Sequence, residues 1–293
     1  MKPLITILTP TYNRAELLTR AFESLNNQSI KNFEWLIIDD GSVDNTEEII
    51  TGFGETSFPI RYYKKVNGGK HTALNYGVHI AKGEFILMLD SDDYLINEAV
   101  EIITKKIDES RNINKLAGVA FRRINENGEI IGSSNFQSII TNSIDIRYKY
   151  KVTGDLVEIF KKEIMLAYPF PLIKNERFCP EVLIWNRISK NHNLKYFNQG
   201  IYVSEYLPGG LTDKIVKIRM QSPKASMLTY SELAKYRIPL KERIKANINF
   251  WRFSFNDKDW SFSKKLKMSI PWMTPMAYPL GFFMHLNDKS KVS

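Results

Sequence analysis

The stretch "FILMLDSDDY", residues 85–94, drives five apolar residues straight into three carboxylates, Asp90, Asp92 and Asp93. A short apolar run closed by turn signals reads as a buried strand. Like charges crowded at its end repel one another, so something cationic has to offset them. Hard oxygen ligands at i and i+2 suit Mg2+ or Mn2+, ions that keep part of their water and share themselves with phosphates. The acidic strand end is therefore read as the holder of a divalent ion that carries a diphosphate. An Asp after a strand also serves as a helix N-cap or turn residue, and that alternative stands for Asp44 and Asp93.

Two further strands upstream also end in polar clusters. The run at 4–8 closes in Thr9-Pro10-Thr11-Tyr12-Asn13-Arg14, and the run at 34–38 closes in Asp39-Asp40-Gly41-Ser42. A third strand is expected at 60–64. Helical faces fall between them at 15–26, 44–50 and 71–81, the second opened by a capping-box pattern of Asp44 and Glu47. A helix at 97–107 follows the strand at 85–89. Strands alternating with helices mean βαβ units and a mainly parallel sheet. Open sheets of this kind bind ligands beyond the carboxyl ends of their strands, so the three polar clusters are expected to converge on one crevice. Beyond residue 110 the order changes. Strands at 116–124 and 129–132 flank the turn Asn127-Gly128, a helix covers 181–191, and strands return near 194–197 and 201–205. Leu207-Pro208-Gly209-Gly210 is a flexible break, and from 215 onward the pattern is helical.

Composition bounds the function. The 293 residues are 43% apolar and 25% charged, the make-up of a globular chain with a sizeable core. A single cysteine, Cys179, excludes an internal disulfide framework and suits a reducing compartment. The opening MKPLITILTPTYNR lacks the features of a signal peptide, and no apolar run of about 18 residues is present to span a bilayer. The net charge of +9 is uneven: residues 214–293 hold 16 Lys and Arg against 5 Asp and Glu, whereas residues 1–213 hold 25 against 27. In that basic tail Lys264, Lys265 and Lys267 precede "MSIPWMTPMAYPLGFFMHL" (268–286), an apolar, aromatic stretch broken by Pro271, Pro275 and Pro279. Aromatic residues beside lysines suit a membrane interface; the alternative is that they cap the core. No recognised nucleic-acid module accompanies the charge, so nucleic acid is not the expected partner.

The ordered set "TPTYNR" (9–14), "IIDDGSVDNT" (37–46), "NGGKHTALNYG" (67–77), "AKGEFILMLDSDD" (81–93) and "PEVLIWNRI" (180–188) resembles a family 2 glycosyltransferase of the bacterial cell-surface polysaccharide type over about residues 1–205. No Gly-x-Gly-x-x-Gly is present, against a dinucleotide-binding Rossmann domain. The resemblance implies a GT-A fold, an α/β, Rossmann-like mixed and mainly parallel sheet flanked by helices. It implies a catalytic domain at 1–213, with a nucleotide-sugar half at 1–110 and an acceptor half at 111–213. Residues 214–293 form a basic, helical C-terminal extension. "LDSDD" matches the family's DxD motif, with Asp92 the direct ligand of Mn2+ or Mg2+ and Asp90 facing the ribose or a metal-bound water. The donor, a nucleotide-diphospho-sugar with UDP favoured, would be met by Thr9, Pro10, Tyr12, Arg14, Asp39, Asp40, Asn67, Lys70, Asn75, Asp90 and Ser91. Tyr12 would stack on the base, Asp40 would accept a base N–H, and Lys70 would contact the diphosphate, unless it is a solvated surface lysine. The catalytic base implied is Glu181, where the family places an Asp; Glu176 is the other candidate. The loop "SEYLPGGLT" (204–212) lacks the His many relatives carry there, and Tyr206 with the glycine pair is expected to form a lid. The activity implied is an inverting hexosyl or N-acetylhexosaminyl transfer to a glycan or lipid-linked saccharide, by a cytoplasmic protein peripheral on the cell membrane. The alternative is a catalytically inactive nucleotide-sugar-binding subunit of a membrane assembly.

Overall fold

The computed structural model describes residues 2–133, 136–204 and 214–292. Short runs rich in apolar and β-branched residues become β1 (Ile5–Thr11), β2 (Phe33–Asp39), β3 (Ile60–Lys64) and β4 (Phe85–Met88), a parallel set in the order β3-β2-β1-β4. β1 and β2 are buried along their whole length, as a parallel strand covered on both faces must be. The connections carry α1 (Leu18–Asn26), α2 (Thr46–Gly52) and α3 (Lys70–Ile80). A Cβ on Gly77 would lie 2.3 Å from Leu8 Cδ1, so α3 meets β1 through bare backbone at that point. After β4 come the two-residue β5 (Tyr94–Leu95) and α4 (Ala99–Asp108).

The second half contains β6 (Leu116–Ile124), β7 (Ser138–Thr141), α5 (Asp145–Tyr148), β8 (Leu156–Lys161), α6 (Lys162–Ala167), α7 (Glu181–Ile188) and β9 (Asn193–Val203). The sheet continues β4-β8-β6-β9-β5, with β7 on β9. β8 is antiparallel to both β4 and β6, and β9 is parallel to β6, so β1, β2, β3, β4, β6 and β9 share one direction. The structure adds β5, β7, β8, α5 and α6 to the elements expected from sequence. It also joins the two strands expected at 194–197 and 201–205 into one: the polar Asn198-Gln199-Gly200 is a bulge, with Ala120 opposite Tyr196 and Arg122 opposite Gly200. The strand expected at 129–132 is reduced to a single bridge from Ile130 to Ile124. The expected capping box is also corrected. Asn45 is the N-cap of α2, and Asp44 stands one residue earlier, accepting from the Thr46 hydroxyl at 2.5 Å and from the Ala15 N–H at 3.1 Å. That carboxylate ties the start of α2 to the chain leaving β1.

Contacts divide the chain into two compact units, Met1–Pro169 with Ile188–Glu205, and Phe170–Arg187 with Tyr206–Ser293. The core of the first is built from Ile5, Ile7, Trp35, Ile37, Leu87 and their neighbours. The second holds α8 (Ile215–Gln221), α9 (Pro223–Lys235), α10 (Leu240–Ser254), α11 (Phe262–Met268) and α12 (Thr274–Val292). Met227, Phe250, Trp251 and Ala277 close one core there, and Ala234, Ala246, Ile270 and Met273 another. Among the described residues no helix is long and apolar enough to cross a membrane.

Toward the amino ends of the strands a buried charge ties the sheet together. Glu34, on β2, accepts from the Thr6 hydroxyl at 2.6 Å, the Lys82 N–H at 2.5 Å and Arg61 Nη1 at 3.0 Å. Burial alone pushes this carboxyl up; the hydrogen bonds from Thr6, Lys82 and Arg61 and the Arg61 charge together outweigh it and hold it below the ordinary glutamate range. A folded-state pKa below the unfolded one, about 4.3, stabilises above that value and ceases to as pH falls through the folded value. Glu34→Gln is expected to lower the urea midpoint at pH 7, with the gap to the wild type closing as the pH drops below about 4.

Candidate active site

The carboxyl ends of β1, β2 and β4 lie side by side, with Thr11 opposite Asp39 and Leu8 opposite Met88. Four loops leave this edge, and each is bonded to the next. The Asn13 N–H donates to Ser42 Oγ at 2.9 Å, and Asn13 Oδ1 accepts the Val43 N–H at 2.8 Å, joining the loop after β1 to the loop after β2. Asp40, buried, accepts from Lys65 Nζ at 2.6 Å, the Gly68 N–H at 3.0 Å and the Gly69 N–H at 2.6 Å, joining the loop after β2 to the loop after β3. Asn67 Nδ2 adds a bond to the Asp40 carbonyl at 2.8 Å. Lys70, the first residue of α3, pairs with Asp90 at 2.5 Å, and Arg14 pairs with Asp92 at 2.8 Å, which closes the ring through the loop after β4.

The structure thus brings Arg14, Asp39, Asp40, Asn67, Lys70, Asp90, Ser91 and Asp92 together. Adjacent acids do different work. Asp39 is fully buried; its carboxylate accepts the Ser42 N–H and the Tyr62 hydroxyl, both at 2.7 Å, so it shapes the turn. Asp40 spends three acceptor positions on the glycine loop, which leaves one of about four lone-pair sites for a ligand N–H. Thr9 and Pro10 are buried in β1, and the Thr9 hydroxyl accepts Trp35 Nε1–H at 2.9 Å. Tyr12 is exposed at the rim, and Asn75 lies half-buried on α3. Residues 205–212 of the expected lid lie outside the described residues.

Arg123, on β6, is a site residue that sequence spacing did not disclose. Its Nη1 donates to Asp93 at 3.0 Å and to Ser204 Oγ at 3.1 Å, its Nη2 lies 3.8 Å from Asp90, and its guanidinium lies 4.3 Å from the centre of the Tyr202 ring. The Tyr202 hydroxyl oxygen accepts the Asp90 N–H at 2.9 Å. Arg20 donates to the Asp92 carbonyl and covers Tyr94. Burial pushes the Asp90 carboxyl up, but the charges of Lys70 and Arg123 outweigh it and keep it below the usual range. Asp93 is pushed up to about 6 by burial and by the charge of Asp90, against Arg123. His71 is buried one residue after Lys70, its Nδ1 without a partner among the described residues, and burial lowers its pKa so that the imidazole is neutral.

Among the described residues no three His, Cys, Asp or Glu side chains gather into a metal cage. Two carboxylates at i and i+2 still fit Mg2+ or Mn2+ held jointly with diphosphate oxygens and water. Of the base candidates, Glu176 accepts the Lys224 N–H at 2.7 Å and the Ala225 N–H at 2.8 Å, so it satisfies two orphan donors in the first turn of α9. Glu181 opens α7 and is only partly buried. Trp185 is buried against Phe170, a core position, and Arg187 holds Glu232 on α9 in a bidentate pair at 2.6 and 3.0 Å.

A mixed sheet flanked by helices, with acids gathered at the carboxyl edge, is the GT-A architecture of nucleotide-diphospho-sugar transferases. The structure of Staphylococcus aureus TarS 1–349 in complex with UDP shares it, with a TM-score of 0.64 at 16% identity over 97% of this chain and 87% of that one. The profile of Glycosyl transferase family 2 matches residues 6–161, from β1 through β8, and the chain belongs to that family. It is 39% identical over 129 residues to an uncharacterized glycosyltransferase of Rickettsia felis, which covers 44% of this chain and 21% of that one. It is 37% identical over 131 residues to the chondroitin synthase of Pasteurella multocida, covering 45% of this chain and 14% of that one. The matched part is thus 21% of one relative's length and 14% of the other's.

Asp40→Asn keeps the shape but removes the charge that Lys65 and two backbone N–H groups address. Breaking this buried pair is expected to cost about 3 kcal/mol in urea unfolding and to speed amide exchange at Gly68 and Gly69.

Proposed function

We propose that the protein moves a sugar from a nucleotide-diphospho-sugar, a UDP-sugar, to a hydroxyl of a glycan or lipid-linked saccharide in surface polysaccharide synthesis, with inversion at the anomeric carbon. The observation that carries this is the closed ring of loops around Asp90 and Asp92 at the carboxyl edge of a family 2 chain. The UDP held by TarS and the polysaccharide made by the chondroitin synthase support the donor and acceptor classes.

Tyr12 offers a ring for the base, and the remaining acceptor of Asp40 takes a base N–H. Arg14 and Lys70 place two positive charges beside the diphosphate. Asp92, with Asp90, would hold Mn2+ or Mg2+, which stabilises the departing nucleoside diphosphate. Arg123 and Tyr202 fix Asp90 from behind, one at its side chain and the other at its N–H. The Glu181 carboxylate takes the proton of the acceptor hydroxyl as that oxygen bonds to the anomeric carbon and the bond to the diphosphate breaks. Glu176 is the weaker candidate for this step, because both its oxygens serve α9. The presence of carboxylates at Asp90, Asp92 and Glu181 speaks for a working enzyme over an inactive partner subunit. The protein works as a peripheral protein at the cytoplasmic face of the cell membrane, where a lipid-linked acceptor would lie.

Glu181→Gln is expected to lower turnover by about 10³ while UDP affinity, measured by calorimetry with Mn2+, stays unchanged. Full activity in that variant would move the base elsewhere. Asp92→Asn is expected to abolish the Mn2+-dependent part of UDP binding in the same titration; an unaltered metal dependence would remove Asp92 from the metal site.

A further inference from the structure

α12 is built inside out. The stripe it buries consists of Thr274, Ala277, Gly281, His285 and Asp288, small or polar residues at helical spacing. A Cβ on Gly281 would lie 2.8 Å from the Arg252 backbone nitrogen, so this stripe rides closely on α10. Asp288 is neutralised there by Arg252, through bonds of 2.5 and 2.7 Å. The large apolar side chains point the other way: Met276, Leu280, Phe283 and Leu286 are exposed, Phe283 by 67%. Trp272, just before the helix, is 66% exposed, and the exposed Phe262 of α11 borders this face at the flank of α12, its ring 5.9 Å from that of Tyr278. A helix that packs through its polar stripe and leaves its apolar side in the open reverses the usual order for a water-facing helix, and a contiguous apolar face of this kind marks a binding surface.

The charge around it identifies the occupant. Lys264 and Lys267 on α11, and Lys289 and Lys291 at the end of α12, are exposed, and neither helix carries an exposed acid. A second copy docking through the same face would bring like charges together, which is unfavourable. An anionic lipid surface offers the complement: apolar residues enter the acyl boundary, Trp and Tyr sit at headgroup level, and lysines meet phosphates. We propose that the outer face of α12, with Trp272 and Phe262, is the surface by which this protein lies on an anionic membrane. The proposal deepens the peripheral-membrane reading above, on which it rests, by assigning the docking face and the lipid class.

The test is flotation of the full chain with phosphatidylcholine vesicles, with and without phosphatidylglycerol, alongside light scattering and consumption of a soluble UDP-sugar. The wild type is expected to float with the anionic vesicles only, less so as salt rises. Leu280→Glu with Phe283→Glu, both at exposed positions, is expected to lower the partition coefficient at least about tenfold with an unchanged melting curve and unchanged donor consumption. Lys264→Gln with Lys267→Gln is expected to weaken binding through the charge alone. A wild type that stays unbound to anionic vesicles, or binding indifferent to the glutamate pair, would overturn the proposal. So would a dimer that the pair dissociates while vesicles remain unbound, which would assign the face to a second copy. Donor consumption failing in the wild type would strike the transfer reading and leave the vesicle result to stand alone.

Discussion

Carboxylates packed at the edge of a sheet persist only where each is met by a cation or by backbone N–H groups. That condition organises this protein. Asp40 is satisfied by the glycine loop and Lys65, Asp90 by Lys70, Asp92 by Arg14 and Asp93 by Arg123. Because every partner comes from a different loop or strand, neutralising the acids also fixes the loops to one another. The ligand-facing edge is thereby held in shape by the same charges that give it chemical use, the preorganisation that donor binding and charge stabilisation in a transition state require.

The first four strands were legible in the sequence because each is a short run dominated by apolar, aromatic or β-branched residues and followed by turn residues, and their observed bounds fall within three residues of those expected. β8 was not legible. Its sequence, LVEIFK, follows a stretch without periodicity and carries Glu158 in its middle, yet it fills the gap between β4 and β6. β5 and β7 are too short to show a period. At the site, composition announced the acids but not their division of labour. Asp39 and Asp40 look equivalent in the chain, and only the register of β2 with β1 and β3 decides which shapes the turn and which holds the glycine loop. Arg123 and Tyr202 left no local signal, since the residues they serve lie 30 and 112 positions away.

The second unit shows the same separation of sequence proximity from role. Glu176 and Glu181 stand five residues apart, and spacing alone could not rank them. Glu176 is drawn to the start of α9, where two backbone N–H groups need acceptors, so its carboxylate acts as a structural fastening. Arg187, on α7, grips Glu232 farther along α9. The helix that opens with Glu181 is therefore fixed to α9 by an ion pair whose planar, two-pronged geometry resists rotation.

The antiparallel β8 also has a consequence for how the chain is made. β4 emerges from the ribosome long before residues 156–161 do, and until then its outer edge presents bare N–H and C=O groups to whatever strand passes. At typical rates of synthesis the interval is roughly ten seconds. The sheet begun by β1 to β4 stays unsealed on that side until the strand that ends the family-matched segment at residue 161 is made. Until those residues emerge, the open edge of β4 is available to strands of other chains, and the interval is the one in which mispairing has its opening.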